Sequence, residues 1–371
     1  MDFDFSEEQK QLKDYARRFL ETNSSRSTVR GVLDAAATHD PQLWRGLADL
    51  GYMGTAIPES YGGLGLGYLE LCVIAEELGR SLAPVPFSSS IYLAAECLLK
   101  AGSDAQKQAW LPKLASGESI GTFALSERVG AVSASRVDCR VSNGRLTGIK
   151  LPVVDGMIAD ICIVAARNEG DLVDLYLVEL CGSGVNRVPV ATIDPTRGHA
   201  RLTFDKAPAT PIGKTGLGWS HIEDMLNRAA VLFSFEQIGG ADRALEMARD
   251  YALERRAFGR QIGSFQALKH MLADMYVAAT LARSNAYFAA WALSTDAAEL
   301  PQAAAAARIS ATQAFQQCSR NNIQVHGGMG FTWESDCHLY YRRSNLLAIN
   351  LGSIMSWEDR LIDRLRSPIR A

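Results

Sequence analysis

What this chain lacks narrows its function before any motif is read. Its seven cysteines (Cys72, Cys97, Cys139, Cys162, Cys181, Cys318 and Cys337) include no CxxC pair. That spacing speaks against zinc and offers no disulfide framework, so the thiols read as packing groups in a reducing compartment. The six histidines contain no HExxH, and none stands in ligand register with a carboxylate or cysteine; no metal site is expected. No apolar run reaches the roughly 18 residues a spanning helix needs, and the opening "MDFDFSEEQK" has no charged-then-apolar leader. A cytoplasmic protein with no membrane span is expected. The net charge is −3, which gives no broad basic field for nucleic acid. The last absence is local. No Asp or Glu occurs between Asp336 and Glu358, although this stretch follows the paired glycines Gly327 and Gly328 in "QVHGGMGF".

What is present is a chain of 371 residues, 47% hydrophobic and 21% charged. That is enough to bury a large core in two or three subdomains. Residues 1–120 carry a helical pattern. Ser6 is placed to cap "SEEQKQLKDYARRFLE", Glu7 and Glu8 suit the first-turn dipole, and Leu12, Tyr15, Ala16 and Phe19 share a face. "IPESYGGLGLG", with Pro58, Gly62 and Gly63, marks a turn between helices. Over residues 121–222 the period changes to two in "DCRVSNGRLTGIKL", "DICIVAAR", "VDLYLVEL" and "HARLTFDKA", and Asn143-Gly144 signals a type I′ hairpin. Helices return over 223–371, where Phe265, Leu268, Leu272, Met275 and Ala279 recur at three and four. The class is α+β, in the order helices, β domain, helices.

Two pieces of sequence carry chemistry. In "YALERRAFGRQIGSFQALKH", Arg255 and Arg256 end a helix beside Phe258 and the turn at Gly259. Guanidinium forks at such a corner suit a diphosphate and stack on rings. Gln324 to Gly328 then sets a carboxamide beside glycines whose bare backbone lets a nucleotide approach. Either piece alone is ordinary, because an arginine pair at a helix end is commonly a solvated cap.

Together, "RxxFG" (Arg255 to Gly259), Gln266 and "QxxGGxGF" (Gln324 to Phe331) resemble the flavin signature of the acyl-CoA dehydrogenase family. The segments "FSEEQ", "LGYMGTAIPESYGGLGL" and "QAWLPKLASGE" are similar to its N-terminal domain. The resemblance implies an N-terminal helical domain, a middle β barrel and a C-terminal four-helix bundle, assembled as dimers or tetramers. It also implies FAD as cofactor, with Arg255, Phe258, Gln266, Gln324, Gly327, Gly328 and Ser126 as its contacts, and an acyl-CoA as substrate. In the family a Glu removes the α proton of the thioester while the β hydrogen leaves as hydride to the flavin.

Both family positions for that Glu hold alkyl residues here. Aligning "YYRRSNLLAINLGS" with the usual "YEGT" form puts Leu351 at the base, and the alternative position on the first bundle helix falls on Ala229 or its neighbour Ala230. The β domain departs as well. The usual "TEPGAGSD" is "SERVGAVS", keeping Ser126 and Glu127, and "WIT" or "WIS" becomes "LPVVDG", with Pro152 for Trp and Val154 for the hydroxyl. In the family the arginine and glycine group grips a flavin bound mainly by the neighbouring subunit, whereas the β-domain group holds a subunit's own flavin ring. The pattern therefore resembles the degenerate subunit of a bacterial hetero-oligomeric acyl-CoA dehydrogenase, such as those acting on steroid side chains, paired with a second dehydrogenase-like chain. Alternatives are a flavin-dependent monooxygenase on the same fold and a non-catalytic scaffold. Glu236, in "AAVLFSFEQIGGADRAL", is the one candidate for a relocated base, because apolar flanks can raise a carboxyl pKa. It stands two helical turns, roughly 10 Å, beyond Ala229.

Overall fold

A computed structural model describes residues 5–35, 37–128, 130 and 132–366. The first four residues of the opening stretch, and Val129 and Ala131 of "SERVGAVS", lie outside the described residues. Helices α1 (Glu7–Asn23), α2 (Arg26–Asp34), α3 (Pro41–Asp49), α4 (Tyr68–Ser81), α5 (Glu96–Ala101) and α6 (Asp104–Ala115) come first, with a π-helical stretch at Ser88–Ala95. Eight strands follow: β1 (Gly121–Ala124), β2 (Arg140–Ser142), β3 (Arg145–Val154), β4 (Ile161–Arg167), β5 (Val173–Glu179), β6 (Val185–Val190), β7 (His199–Pro208) and β8 (Thr210–Ile212). Then come α7 (Gly218–Glu254), the two-residue strands β9 (Arg256–Ala257) and β10 (Arg260–Gln261), α8 (Gln266–Ser294), α9 (Leu300–His326), α10 (Cys337–Leu347) and α11 (Ile354–Arg366). The chain divides into two compact units, residues 1–29, 69–83 and 230–371 in one, and 30–68 and 84–229 in the other.

The first unit is helical. Ser6 and Gln9 form a capping box at the start of α1, with Glu7 and Glu8 in its first turn, so the local cap signal sets the boundary. The buried face of α1 runs through Ala16 and Leu20, and Tyr15 is 62% exposed. The helix is thus rotated from the face that periodicity suggests, because Lys13 and Arg17 turn inward to Glu76 and Glu77 of α4, each at 2.8 Å. Glycines bring α4 onto α7: a Cβ on Gly79 would lie 1.8 Å from the Glu236 carbonyl, and one on Gly239 1.8 Å from that of Glu76. Helix backbones approach this closely only where the side chain is a hydrogen. Helices α8 and α9 pack through alanine faces that include Ala282, Ala286, Ala304 and Ala311, and α10 and α11 lie on α9.

The second unit holds the sheet. Its path is β6-β7-β3-β2-β4-β5-β8, with β1 parallel to β4. Asn143 and Gly144 take φ of 50° and 69°, the left-handed pair a type I′ turn requires, and join β2 to β3. Leu146, Val153, Val164, Val178, Leu202 and Phe204 form part of its core. The expected barrel is not closed: β6 and β8 end the path without pairing to each other. Pro189 on β6 and Pro211 on β8 lack the N–H a further ladder would need, and β8 is only three residues long. Both features belong to edge strands.

Candidate functional site

The two pieces of the expected flavin signature meet at one end of the helical unit. Helix α7 ends at Glu254, and the Arg255 carbonyl accepts from the Ile262 N–H at 2.9 Å, closing the β9–β10 turn. Helix α9 ends at His326, where Gly327 takes φ of 59° and its N–H returns to the Gln324 carbonyl. The rings of Tyr251 and His326 stack at 4.1 Å and 22°, which sets one helix end beside the other. His326 Nδ1 lies 2.8 Å from the Asn322 carbonyl, an acceptor, so Nδ1 carries the proton. Burial pushes its pKa below the ordinary value against that bond, which leaves the ring neutral near pH 7. Sequence reading missed this pair; the clue is Tyr251, one helical turn before Arg255.

The surface these turns present is open and mixes exposed rings with arginine and glutamine side chains. Phe258, at φ of 53°, is 94% exposed and Phe331 is 79% exposed. Phe265 supports Phe258 edge-on at 6.2 Å, and the Arg260 guanidinium lies 4.1 Å from the Phe265 ring centroid. Arg255, Gln266, Gln324, Gly327 and Gly328 are all exposed. A Cβ added to Gly259, Gly327 or Gly328 would meet nothing within 4 Å. Ser126 belongs to the other unit.

Glu236 has a charged setting. Its carboxylate is buried 3.7 Å from Arg343, and it acts electrostatically on Arg308, whose own pKa burial drags down to about 10. Arg308 donates to Gln237 Oε1 at 2.7 Å and to the Leu347 carbonyl at the end of α10, and Gln237 Nε2 donates to Thr312 Oγ1 at 3.1 Å. The apolar flanks read from sequence are real, since Phe235 stacks on Tyr287 at 5.9 Å. They are joined by guanidinium groups contributed by α9 and α10.

The segment after α10 is tied down. Leu351 is 8% exposed, its carbonyl accepts from Trp357 Nε1 at 3.1 Å, and Asn350 bridges to Gly352. In the second unit Ala229 is fully buried on α7. Neither position carries an ionisable group.

In the sheet, the segment at Ser126 is stapled to β3. Lys150, fully buried, donates to the Leu125 carbonyl at 3.0 Å and to Glu127 at 2.7 Å, and the Ser126 carbonyl accepts from Leu151 N–H at 2.9 Å. Burial pushes the Glu127 carboxyl up, but Lys150 and the N–H groups of Cys139 and Asp138 outweigh it and hold it below its ordinary value. A cavity lined in part by Ser126, Glu127 and Ser133 measures about 10 Å³, room for one water at most. The β3–β7 register shifts between Lys150 and Val153, so "LPVVDG" lies across a bulge.

Comparison with known proteins identifies the family. Residues 6–118 match the acyl-CoA dehydrogenase N-terminal domain and residues 216–356 the acyl-CoA dehydrogenase C-terminal domain. The chain is 34% identical over 343 residues to the acyl-CoA dehydrogenase IpdE2 of Mycobacterium tuberculosis, covering 91% of each chain. Among solved structures it is similar to the ChsE4-ChsE5 complex from Mycobacterium tuberculosis, at 28% identity, TM-score 0.89 and 100% of both chains. It is also similar to a variant of the Tcur3481-Tcur3483 steroid ACAD, at 30% identity and TM-score 0.89, over 97% of this chain and 98% of that one. The chain belongs to the acyl-CoA dehydrogenase family, oxidoreductases that act on CH–CH donors with FAD as cofactor. Among the described residues no helix is long and apolar enough to cross a membrane, and no group of His, Cys, Asp and Glu could hold a metal ion.

Proposed function

We propose that this chain is the subunit of a hetero-oligomeric acyl-CoA dehydrogenase that supplies the outer half of a shared FAD site and leaves proton abstraction to its partner. One observation carries the reading. The cradle of Arg255, Phe258, Gln324, Gly327 and Gly328 faces solvent, while both family base positions, Ala229 and Leu351, are buried alkyl groups.

The cradle fits the adenosine-diphosphate end of FAD. The space around Gly327 and Gly328 is open, with nothing within 4 Å of where a Cβ would stand, so a phosphate can approach the bare backbone there, and Arg255 offers a fork to hold it. Phe258 and Phe331 give exposed apolar surface that a flavoprotein partner would cover. The β-side fits less well: Val154 has no hydroxyl to donate, and the Ser126 segment is engaged with β3.

The chemistry that a bound FAD would supply is acceptance of the β hydrogen of the acyl-CoA as hydride. Gln324 and Gln266 would orient the nucleotide, and the neutral His326, stacked on Tyr251, fixes the glycine turn without adding charge. Glu236, bound to guanidinium groups, acts as their counter-ion. A second acyl-CoA dehydrogenase-like chain as partner, and a bulky steroid-type acyl group as substrate, are supported by the paired ChsE4-ChsE5 complex and the Tcur3481-Tcur3483 steroid enzyme.

The test is the flavin content of wild-type and Arg255→Ala assemblies after matched dialysis. A charge-assisted bond to phosphate contributes roughly 1.5 to 3 kcal/mol, so affinity should fall at least about tenfold. Equal flavin content in the two would place Arg255 outside the site and overturn the assignment.

A further inference from the structure

A polar cleft in the helical unit, formed without any residue of the flavin cradle, has its own charge pattern. It measures about 300 Å³ and lies where the C-terminal ends of α1 and α4 meet α7 and α10, near the lower end of small-molecule pockets. Arg17, Arg26, Arg80 and Arg243 line it, against only two carboxylates, Glu21 and Glu77. The acids that anchor the other arginines, Glu246 and Asp336, do not line the cleft.

Each guanidinium is held from one side and keeps donors to spare. Arg17 gives Nε and Nη2 to Glu77 at 3.0 and 2.8 Å. Arg80 gives Nη1 and Nη2 to Glu246 at 2.9 and 2.5 Å, and Arg243 adds Nη1 at 3.1 Å. Arg26 gives Nη1 to Asp336 at 3.1 Å. Arg17 Nη1, Arg80 Nε and Arg243 Nη2 take no partner among the described residues. The acids thus fix the orientation of the forks rather than consuming them.

Arg17 lies close enough to act on Arg80, and Arg80, Arg243 and Arg26 all act on Tyr340. Arg17 and Arg80 repel, and although burial raises the pKa of the Tyr340 phenol, Arg243, Arg26 and Arg80 together oppose that rise. Tyr340 is itself buried, and its hydroxyl donates to the Arg80 carbonyl at 2.9 Å. That bond pins α10 to the α4 end of the cleft.

We infer that this cleft is a binding site for a small diphosphate-type oxyanion, separate from the FAD cradle. Pre-aimed guanidinium forks match the paired oxygens of phosphate, and the several donors suit a ligand with more than one phosphoryl group. The recess accepts a compact anion.

The probe is inorganic pyrophosphate, titrated calorimetrically into the full-length Arg255→Ala chain, which removes the phosphate-binding arginine of the flavin cradle. Saturable single-site binding is expected. Arg26→Gln and Arg243→Gln, on two different helices and at partly exposed positions, should each weaken it at least about fivefold while melting with the parent. Sodium chloride at matched ionic strength should give no saturable heat. An absence of saturable pyrophosphate binding would overturn the inference. So would binding that both glutamine variants leave unchanged, or a response that sodium chloride reproduces.

Discussion

Tyr251 and His326 stack at 4.1 Å, near-parallel, and so join the last turn of α7 to the last turn of α9. Arg255 follows one of these residues and Gly327 the other, so the pair fixes the span between the arginine and the glycine turn. An aromatic stack contributes about 0.5 to 1.5 kcal/mol beyond its burial. Tyr251→Ala should therefore weaken FAD binding by the assembled protein about two- to tenfold, while Tyr251→Phe, which keeps the ring, should bind like wild type. Fluorescence titration of FAD against both variants checks this.

Glu236 is expected to matter for stability and not for turnover. Removing one partner of a buried ion pair costs roughly 3 to 5 kcal/mol, because the other charge is left uncompensated. Glu236→Gln keeps shape but not charge, and Arg343 and Arg308 would lose their counter-ion. The expected outcome is a large fall in melting temperature, with any turnover of the folded assembly within a few-fold of wild type. A rate collapse at unchanged stability would identify Glu236 as the base.

The buried histidine of the sheet unit gives a pH signature. His199 is held neutral by burial, which depresses its pKa against the bond to the Arg197 carbonyl at 3.0 Å. Its folded pKa lies below the unfolded value near 6.5, so the unfolded chain binds more protons in that window. Stability should fall as pH drops through about 6.5 and below. His199→Asn should flatten this part of the curve, as measured by urea midpoints at pH 7.5 and pH 5.5. An equal slope in wild type and variant would contradict it.

The helix, sheet, helix order was legible because caps, turn residues and period are local. Ser6 with Gln9 and Asn143 with Gly144 need only their neighbours. The open sheet was not legible as such. Whether the ends join depends on β6 and β8, distant in sequence, although Pro189 and Pro211 mark both as edges. Tyr15 was placed inward by periodicity, but the charged pairs of Lys13 and Arg17 with α4 rotate α1 and leave it outside. At Glu236 the flanking phenylalanines were visible in one window of sequence, whereas Arg308 and Arg343 arrive from other helices. The exposed turns at residues 255–259 and 324–328 were readable as motifs, since their signal lies in residue type and spacing. The Tyr251–His326 stack is a tertiary contact and left only a weak trace.

The central claim is that this chain holds half of a flavin site and no base. The most direct measurement takes the chain purified alone, reads flavin absorbance per chain, and follows dye reduction with a panel of acyl-CoA thioesters. The account predicts sub-stoichiometric flavin and no desaturation, because Ala229 and Leu351 take up no proton and Val154 donates no hydrogen bond. Stoichiometric flavin with acyl-CoA turnover by the chain alone would contradict it.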